Sequence, residues 1–457
     1  MRAVRHPGPA ALEQFVLGRL SPLEMRDVAR HLLTGCPQCQ EVTANLWEPA
    51  DVFEDPRTLA TAEPVAGDAA YDAVLDRVFE RVAATESLLA GQRAAGHRLY
   101  EELVQCPAER RHLLLANCQR FRNRMLCERL IEASYEICFE EPRRAVEVAR
   151  LAVAAVDLLT AEDCGGGELT GLRVRAWAHL GNACRACFDL PGSEAAFDVV
   201  ERLLNEGGVT PLEKAKVLSI LAAWRKTQQR LGEALQALDR AAAIYKKLGQ
   251  WSFFGRTLLQ KAMVCSEAGD SQEELKLLRR ALDLIDPQAD PRVFLAARHN
   301  LINALYESGR VREAFALLYH TRPLYLQAGD RMNLLKLRWL EGVVAFGLQR
   351  NDQAEAALRE VRESFLELGL SYDAALASLD LAGVYVVQGR TADVSRVAEE
   401  TLKVFQTYNT HREAIAALLV FCASARLNQA GLDLVREVSG FLKRARNNPN
   451  LRFSEPS

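Results

Sequence analysis

Two cysteines and one histidine near the N-terminus carry the clearest chemistry in this 457-residue chain. Cys36-Pro-Gln-Cys39 is a Cys-x-x-Cys turn, a spacing that offers two thiolates to one tetrahedral cation, and His31, about a turn back on the preceding predicted helix, can add an imidazole as a third ligand. A second pair, Cys184-Arg-Ala-Cys187, falls inside an apolar helical stretch with no further ligand at suitable spacing, and it reads as packing. Of the 11 cysteines most others sit singly in apolar helical stretches, as at Cys118, Cys127, Cys138, Cys265 and Cys422. That pattern suits reduced core thiols of a cytoplasmic protein better than a disulfide framework. There is no Gly-x-Ser-x-Gly, no His-Glu-x-x-His, no phosphate-binding Gly-Lys loop and no cysteine with a matching His and Asn set, so the expectation is a binding protein and not an enzyme.

The elements that would position the thiols are short helices. Leu12-Glu-Gln-Phe-Val-Leu predicts a helix stopped by Gly18. Ser21-Pro-Leu-Glu24 is a capping box, with Ser21 as N-cap and Pro22 in the first helical position, opening a helix over 23–34 that carries His31. Gly35 ends it, and a third helix is predicted at 40–47. The order of these residues resembles the small zinc-binding module of anti-sigma factors, which has an upstream His and then His-x-x-x-Cys-x-x-Cys; Gly-Arg-Leu-Ser-Pro-Leu-Glu and His-Leu-Leu fit as well. The resemblance implies a structural Zn2+ held by His31, Cys36 and Cys39, with His6 as fourth ligand, and an RNA polymerase sigma factor as a partner. This chain departs from the pattern by one residue, since four and not three separate His31 from Cys36. The alternative is a three-helix module of residues 1–48 that binds no metal.

Residues 49–69 are acidic, Pro-containing and aperiodic, which predicts a linker. A helix then begins in which Tyr71, Val74, Leu75, Val78, Phe79 and Val82 form one apolar stripe. In the anti-sigma family a helix at this place clasps the sigma factor; the other reading is a cap on the repeats that follow. Leu99, Leu103, Leu113, Leu114 and Leu115 extend the same helical region, so 70–122 reads as capping helices.

From 123 to 447 the chain repeats. The residue that opens the second helix of each expected hairpin falls at Ala145, Ala195, Ala234, Glu274, Ala314, Ala354, Val394 and Leu434, and after the first two the steps are 39 and then 40. The turns before it recur as Ala268-Gly-Asp-Ser, Ser308-Gly-Arg-Val and Gln388-Gly-Arg-Thr, and a second glycine recurs at Gly249, Gly329 and Gly369. The first step is longer because of Glu162-Asp-Cys-Gly-Gly-Gly-Glu-Leu-Thr-Gly171, read as a flexible loop. With Trp177, Leu180 and Gly181 at the matching places, the array resembles tetratricopeptide repeats with helices about a turn longer than usual. The fold class is therefore all-α, a right-handed α-solenoid of about eight helical hairpins behind a small helical zinc module, with a tail at 448–457.

In repeats of this type the first helices line an inner groove. By register that groove includes Lys216, Lys226, Arg256, His299, Asn303 and Trp339, with His299 and Asn303 on one helix face; farther on the positions turn apolar at Leu379 and Leu419. A net charge of −3 provides no basic field for nucleic acid, and no apolar window is long enough for a membrane span or signal peptide. Arg outnumbers Lys and Ala is abundant, which points to a GC-rich bacterial genome. The expectation is a cytoplasmic, regulatory protein-interaction adaptor, or else a sensor that binds a peptide in the groove.

Overall fold

The computed structural model describes residues 6–16, 20–33, 36, 38–39, 42, 69–138, 141–164, 166–407, 412–445 and 451–453, and among them every regular element is a helix. The helix predicted at 40–47 lies outside them except at residues 42, and the linker does so except at its last residue. None of the described helices is long and apolar enough to cross a membrane. The chain divides into two compact units, Met1–Ala133 with Ala154–Cys164, and Ser134–Val153 with Gly165–Ser457.

The first unit holds α1 (Pro9–Val16), α2 (Pro22–Leu33), α3 (Ala69–Gln105), α4 (Ala108–Asn117) and most of α5 (Arg124–Glu136). The capping box forms: the Ser21 N–H donates to Glu24 Oε2 at 3.0 Å and the Glu24 N–H to Ser21 Oγ at 3.4 Å. The predicted stripe becomes a 37-residue helix, although the side chains of Tyr71, Val74, Leu75 and Val78 lie outside the described ones. Leu103 and Leu115 are buried, while Val82, Leu88 and Leu113 are exposed. Gly96 lets α3 touch α5, because a Cβ there would lie 2.7 Å from the Met125 backbone.

Two helices, α6 (Pro142–Asp157) and the single-turn α7 (Ala161–Cys164), follow α5, and then the array proper begins. Its hairpins pair α8 (Gly166–Ala186) with α9 (Leu190–Glu206), α10 (Pro211–Thr227) with α11 (Leu231–Lys247), and α12 (Trp251–Ala268) with α13 (Ser271–Leu284). They continue with α14 (Pro291–Glu307) and α15 (Val311–Ala328), α16 (Arg331–Gly347) and α17 (Asn351–Glu367), and α18 (Ser371–Val387) and α19 (Thr391–Thr407). The last pair is α20 (Arg412–Arg426) and α21 (Leu432–Ala445). Each first helix also packs against the first helix of the next pair from α8 to α18, whereas successive second helices make no comparable contact. Helices on the inside of a curve are the closer ones, so the first helices form the inner face of this helical solenoid.

Burial corrects the phase of the repeat at its two ends. Ala195 is exposed, and the equivalent small residue is Ser193, fully buried four residues after the N-cap Asp189, with its Oγ–H donating to the Gly181 carbonyl at 2.9 Å. Val435, not Leu434, fills that place in the last pair. The stretch 162–171 is not a flexible loop in its described part: it is α7 and the start of α8, and Gly171 is needed because a Cβ there would meet Glu213 Cγ at 2.8 Å. The predicted tail is anchored at Phe453, whose N–H donates to Glu413 Oε2 at 3.0 Å and whose ring lies 5.0 Å from that of Phe441.

The turn inside each hairpin always passes through the left-handed region, whether or not the residue is glycine. Gly269, Gly309 and Gly389 hold it at φ 80°, 74° and 70°, and Phe188, Gln229, Gln349 and Asn428 hold it at 61°, 59°, 61° and 56°. A side chain at such a φ costs about 1 kcal/mol or more. Gln349→Gly is therefore expected to stabilise the array by about 0.5–1 kcal/mol despite the greater freedom of the unfolded chain, a gain that urea denaturation will read as a raised midpoint.

Candidate metal centre and interaction groove

The N-terminal ligands converge. Leu12 from α1, Val28 from α2 and Cys39 form a small buried core, with Phe15, Leu20, Leu32, Cys36 and Val42 packed on it. His31 stands in the last turn of α2, so its ring reaches the Cys-x-x-Cys segment just beyond the helix. The ligand atoms of His6, His31, Cys36 and Cys39 all lie within 4.8 Å of one another. Cys36 Sγ is 3.3 Å from His6 Nδ1, Cys39 Sγ is 3.7 Å from the same nitrogen, and Cys39 Sγ is 3.3 Å from His31 Nε2. Zinc bond lengths at a tetrahedral angle separate nitrogen from sulfur by about 3.5 Å, so two thiols and two imidazoles at this spacing fit that ion. The thiols thus lie within reach of His31 despite the longer spacing.

Electrostatics agree with such a site. Burial, and then the nearby His6, hold the His31 pKa below that of an ordinary imidazole, which favours the neutral ring that a metal needs. Burial and the adjoining Cys36 thiol push the Cys39 thiol up, because two thiolates side by side repel in the absence of a cation.

The groove residues named from the sequence all lie on first helices, and each already has a partner inside the protein. Lys216 Nζ donates to Glu213 Oε1 at 2.7 Å, and Lys226 Nζ on α10 donates to Glu267 Oε1 on α12 at 2.7 Å. Arg256 on α12 pairs with Asp290, the N-cap of α14. His299 Nδ1 is 2.7 Å from the Tyr325 hydroxyl of α15, while Asn303 Nδ2 donates to His299 Nε2 at 3.1 Å. Burial first, and then Lys336, push the His299 imidazole down to about 4, so it is neutral at pH 7. Trp339 Nε1–H on α16 donates to Asp380 Oδ2 on α18 at 2.7 Å. Lys226, Arg256 and Trp339 thus brace one repeat against the next, while Lys216, His299 and Asn303 are held within their own hairpins. Leu379 is buried, whereas Leu419 is about half exposed.

Sequence reasoning missed the polar cluster at the C-terminal end of that face. Helix α21 lies on α18, with Leu432 beside Gly383, and Lys443 Nζ reaches back to Glu307 Oε1 on α14 at 3.0 Å. Residues 374–379 and 381–385 of α18 are consequently buried on every side. Asp380 is the one charged residue between Asp373 and Arg390, which was a usable signal.

Walls of protein on most sides push the Asp380 carboxyl above its ordinary range, with Lys443 and the Trp339 indole only partly offsetting this. An acid whose pKa is higher folded than unfolded binds more protons in the folded state, so stability falls as pH rises from the unfolded value of about 3.9 through the folded one. Asp380→Asn keeps an acceptor for the indole and removes the charge. It is expected to be more stable than the parent at pH 8, with the difference shrinking towards pH 4, as thermal melts across that range will show.

No family model matches the chain, and no curated protein matches it by sequence. Solved structures do resemble it. A Rap protein complexed with Competence and Sporulation Factor superposes with a TM-score of 0.53 at 12% identity, over 70% of this chain and 87% of that one. A Signal Transduction ATPase with Numerous Domains protein with a tetratricopeptide repeat sensor, from Pyrococcus horikoshii, superposes at 0.50 and 14% identity, over 95% of this chain and 67% of that one. At these identities the likeness is one of fold, and it supports the tetratricopeptide-like solenoid.

Proposed function

We propose that this chain is a regulatory scaffold without catalytic activity, in which the inner face of the hairpin array holds a peptide segment and the N-terminal module holds one structural Zn2+. The observation that carries the first part is the curvature: seven stacked hairpins, among the described residues, turn their first helices to a common inner face. Support comes from the Rap protein of the same fold, which was solved with Competence and Sporulation Factor, and from the use of such repeats as a sensor in the Pyrococcus horikoshii protein. The second part rests on the four converging ligands. A second reading adds an RNA polymerase sigma factor, clasped by α3 after the zinc module; the exposed Val82, Leu88 and Leu89 on that helix favour it.

Photo-crosslinking tests the groove. A crosslinking residue in place of Met263, exposed on first helix α12, should capture a peptide or protein from a cytoplasmic extract, and the same residue in place of Lys276 on second helix α13 should not. Equal capture at both places, or at Lys276 alone, rules the groove out. A sigma factor captured through Leu88 and through neither of these supports the second reading.

A further inference from the structure

The N-terminal end of the inner face carries a polar cluster with unfinished hydrogen bonding. Arg175 and His179 stand one turn apart on α8, and Glu213 and Lys216 face them from the start of α10. Glu213 Oε1 accepts from Arg175 Nη1 at 3.2 Å and from Lys216 Nζ at 2.7 Å. Burial first, then Arg175 and Lys216, push the His179 imidazole down to about 3, so the ring is neutral. Its Nδ1 is shut away from solvent and has no hydrogen-bond partner, and the second oxygen of Glu213 is in the same condition. Leaving such atoms unpaired is unfavourable, and they call for an explanation in a bound group. The ring of Tyr135 lies edge-on to His179 at 5.9 Å and is itself 55% exposed, so it can turn aside; the Lys216 side chain, 25% exposed, marks the way in.

The cluster offers the partly exposed Lys216 ammonium, one unpartnered imidazole nitrogen and one unpartnered carboxylate oxygen. A ligand that completes it supplies a carboxylate and, next to it, an N–H donor. An acidic residue within a peptide has both. We infer that Arg175, His179, Glu213 and Lys216 form a station for an acidic residue of the bound peptide, its carboxylate taken by Lys216 and the His179 Nδ1–H and its main-chain N–H by Glu213 Oε2. This deepens the peptide-groove reading and rests on it. Glu213 acts as the counter-ion while the groove is empty, and Arg175 holds Glu213 in place.

The test uses the full chain labelled with 13C at histidine Cε1, the His179 signal being the one lost in His179→Gln. N-acetyl-triglutamate is expected to move that signal, and N-acetyl-triglutamine amide is not. Lys216→Gln should weaken the triglutamate effect about tenfold or more, since it loses a charge-assisted hydrogen bond, while circular dichroism stays unchanged. Equal movement with triglutamine, equal movement with inorganic phosphate, or unchanged affinity in Lys216→Gln each overturns the inference. If His179 stays fixed while Met263 still captures a partner, the acidic station is wrong and the groove reading stands. If His179 moves as expected and crosslinking at Met263 fails, the station stands and the wider groove does not.

Discussion

Cys39→Ser is expected to abolish zinc binding and to unfold the N-terminal module while leaving the hairpin array intact. Cys39 lies close to both imidazoles, His6 and His31, and it is 3% exposed within the module's own core. Serine supplies a short, hard oxygen where the ion needs a thiolate, and structural zinc contributes about 10–16 kcal/mol to small domains of this kind. Against that, the buried apolar set in the described part of the module is Leu12, Val28 and Cys39, too small a core to hold a fold alone. Purified after growth with zinc, the parent should contain about one zinc per chain by atomic absorption, and Cys39→Ser should contain about none. Trypsin should then cut the variant around Arg26 and Arg30 while the array keeps its helicity and melting temperature. Cys184→Ser is the control, because Cys184 lies inside α8 and its thiol is pushed up to about 11 by burial, as a packed thiol should be. Full zinc in Cys39→Ser, or none in the parent, would sink the proposal.

How far the sequence carries depends on which features tolerate an error in phase. The 40-residue step was legible because Gly269, Gly309 and Gly389 punctuate it and a period survives a shift of origin. Helix faces do not survive one. Reading Leu379 as an outward position placed attention one residue away from Asp380, and reading Ala195 for Ser193 had the same cause. The glycines of 162–171 suggested a loop because composition records conformational freedom, whereas the contact of Gly171 with Glu213 is a tertiary fact. The register places the groove residues on the right helices but does not reveal that their side chains are already paired. Lys226 and Glu267, and Trp339 and Asp380, are each 41 residues apart, so a search one repeat onward finds both pairs once the period is known. The convergence of His6, His31, Cys36 and Cys39 was the most legible feature of all, since a short module brings residues together within a few turns and little tertiary context intervenes.

Val438→Asp should detach the last helix and open the C-terminal end of the inner face. Val438 is fully buried on α21, in line with Val435, Phe441, Leu442 and Ala445. A carboxylate there has no partner, and an uncompensated buried charge costs about 3–5 kcal/mol. The cost falls on one contact. Apart from the Lys443–Glu307 bridge, the hairpins pack mainly on their neighbours, and stability in such an array is nearly a sum of local terms, so the chain should lose α21 before it loses the rest. What α21 covers is α18, whose buried residues around Gly383 would then meet water. Hydrogen exchange should therefore quicken over 371–387 and 432–445 and stay slow over 211–284. Lys443→Gln is the graded companion: its bridge to Glu307 is about half exposed at each end, so its loss should cost under about 1 kcal/mol and leave exchange in α18 nearly unchanged. If Val438→Asp instead unfolds the whole array in one step, α21 is part of a single cooperative core and not a separable cover. If it leaves α18 protected, something other than α21 shields that face. The expected pattern means that the open groove runs along the hairpins before α18, and that the chain's own C-terminal helix sets where a bound segment must stop.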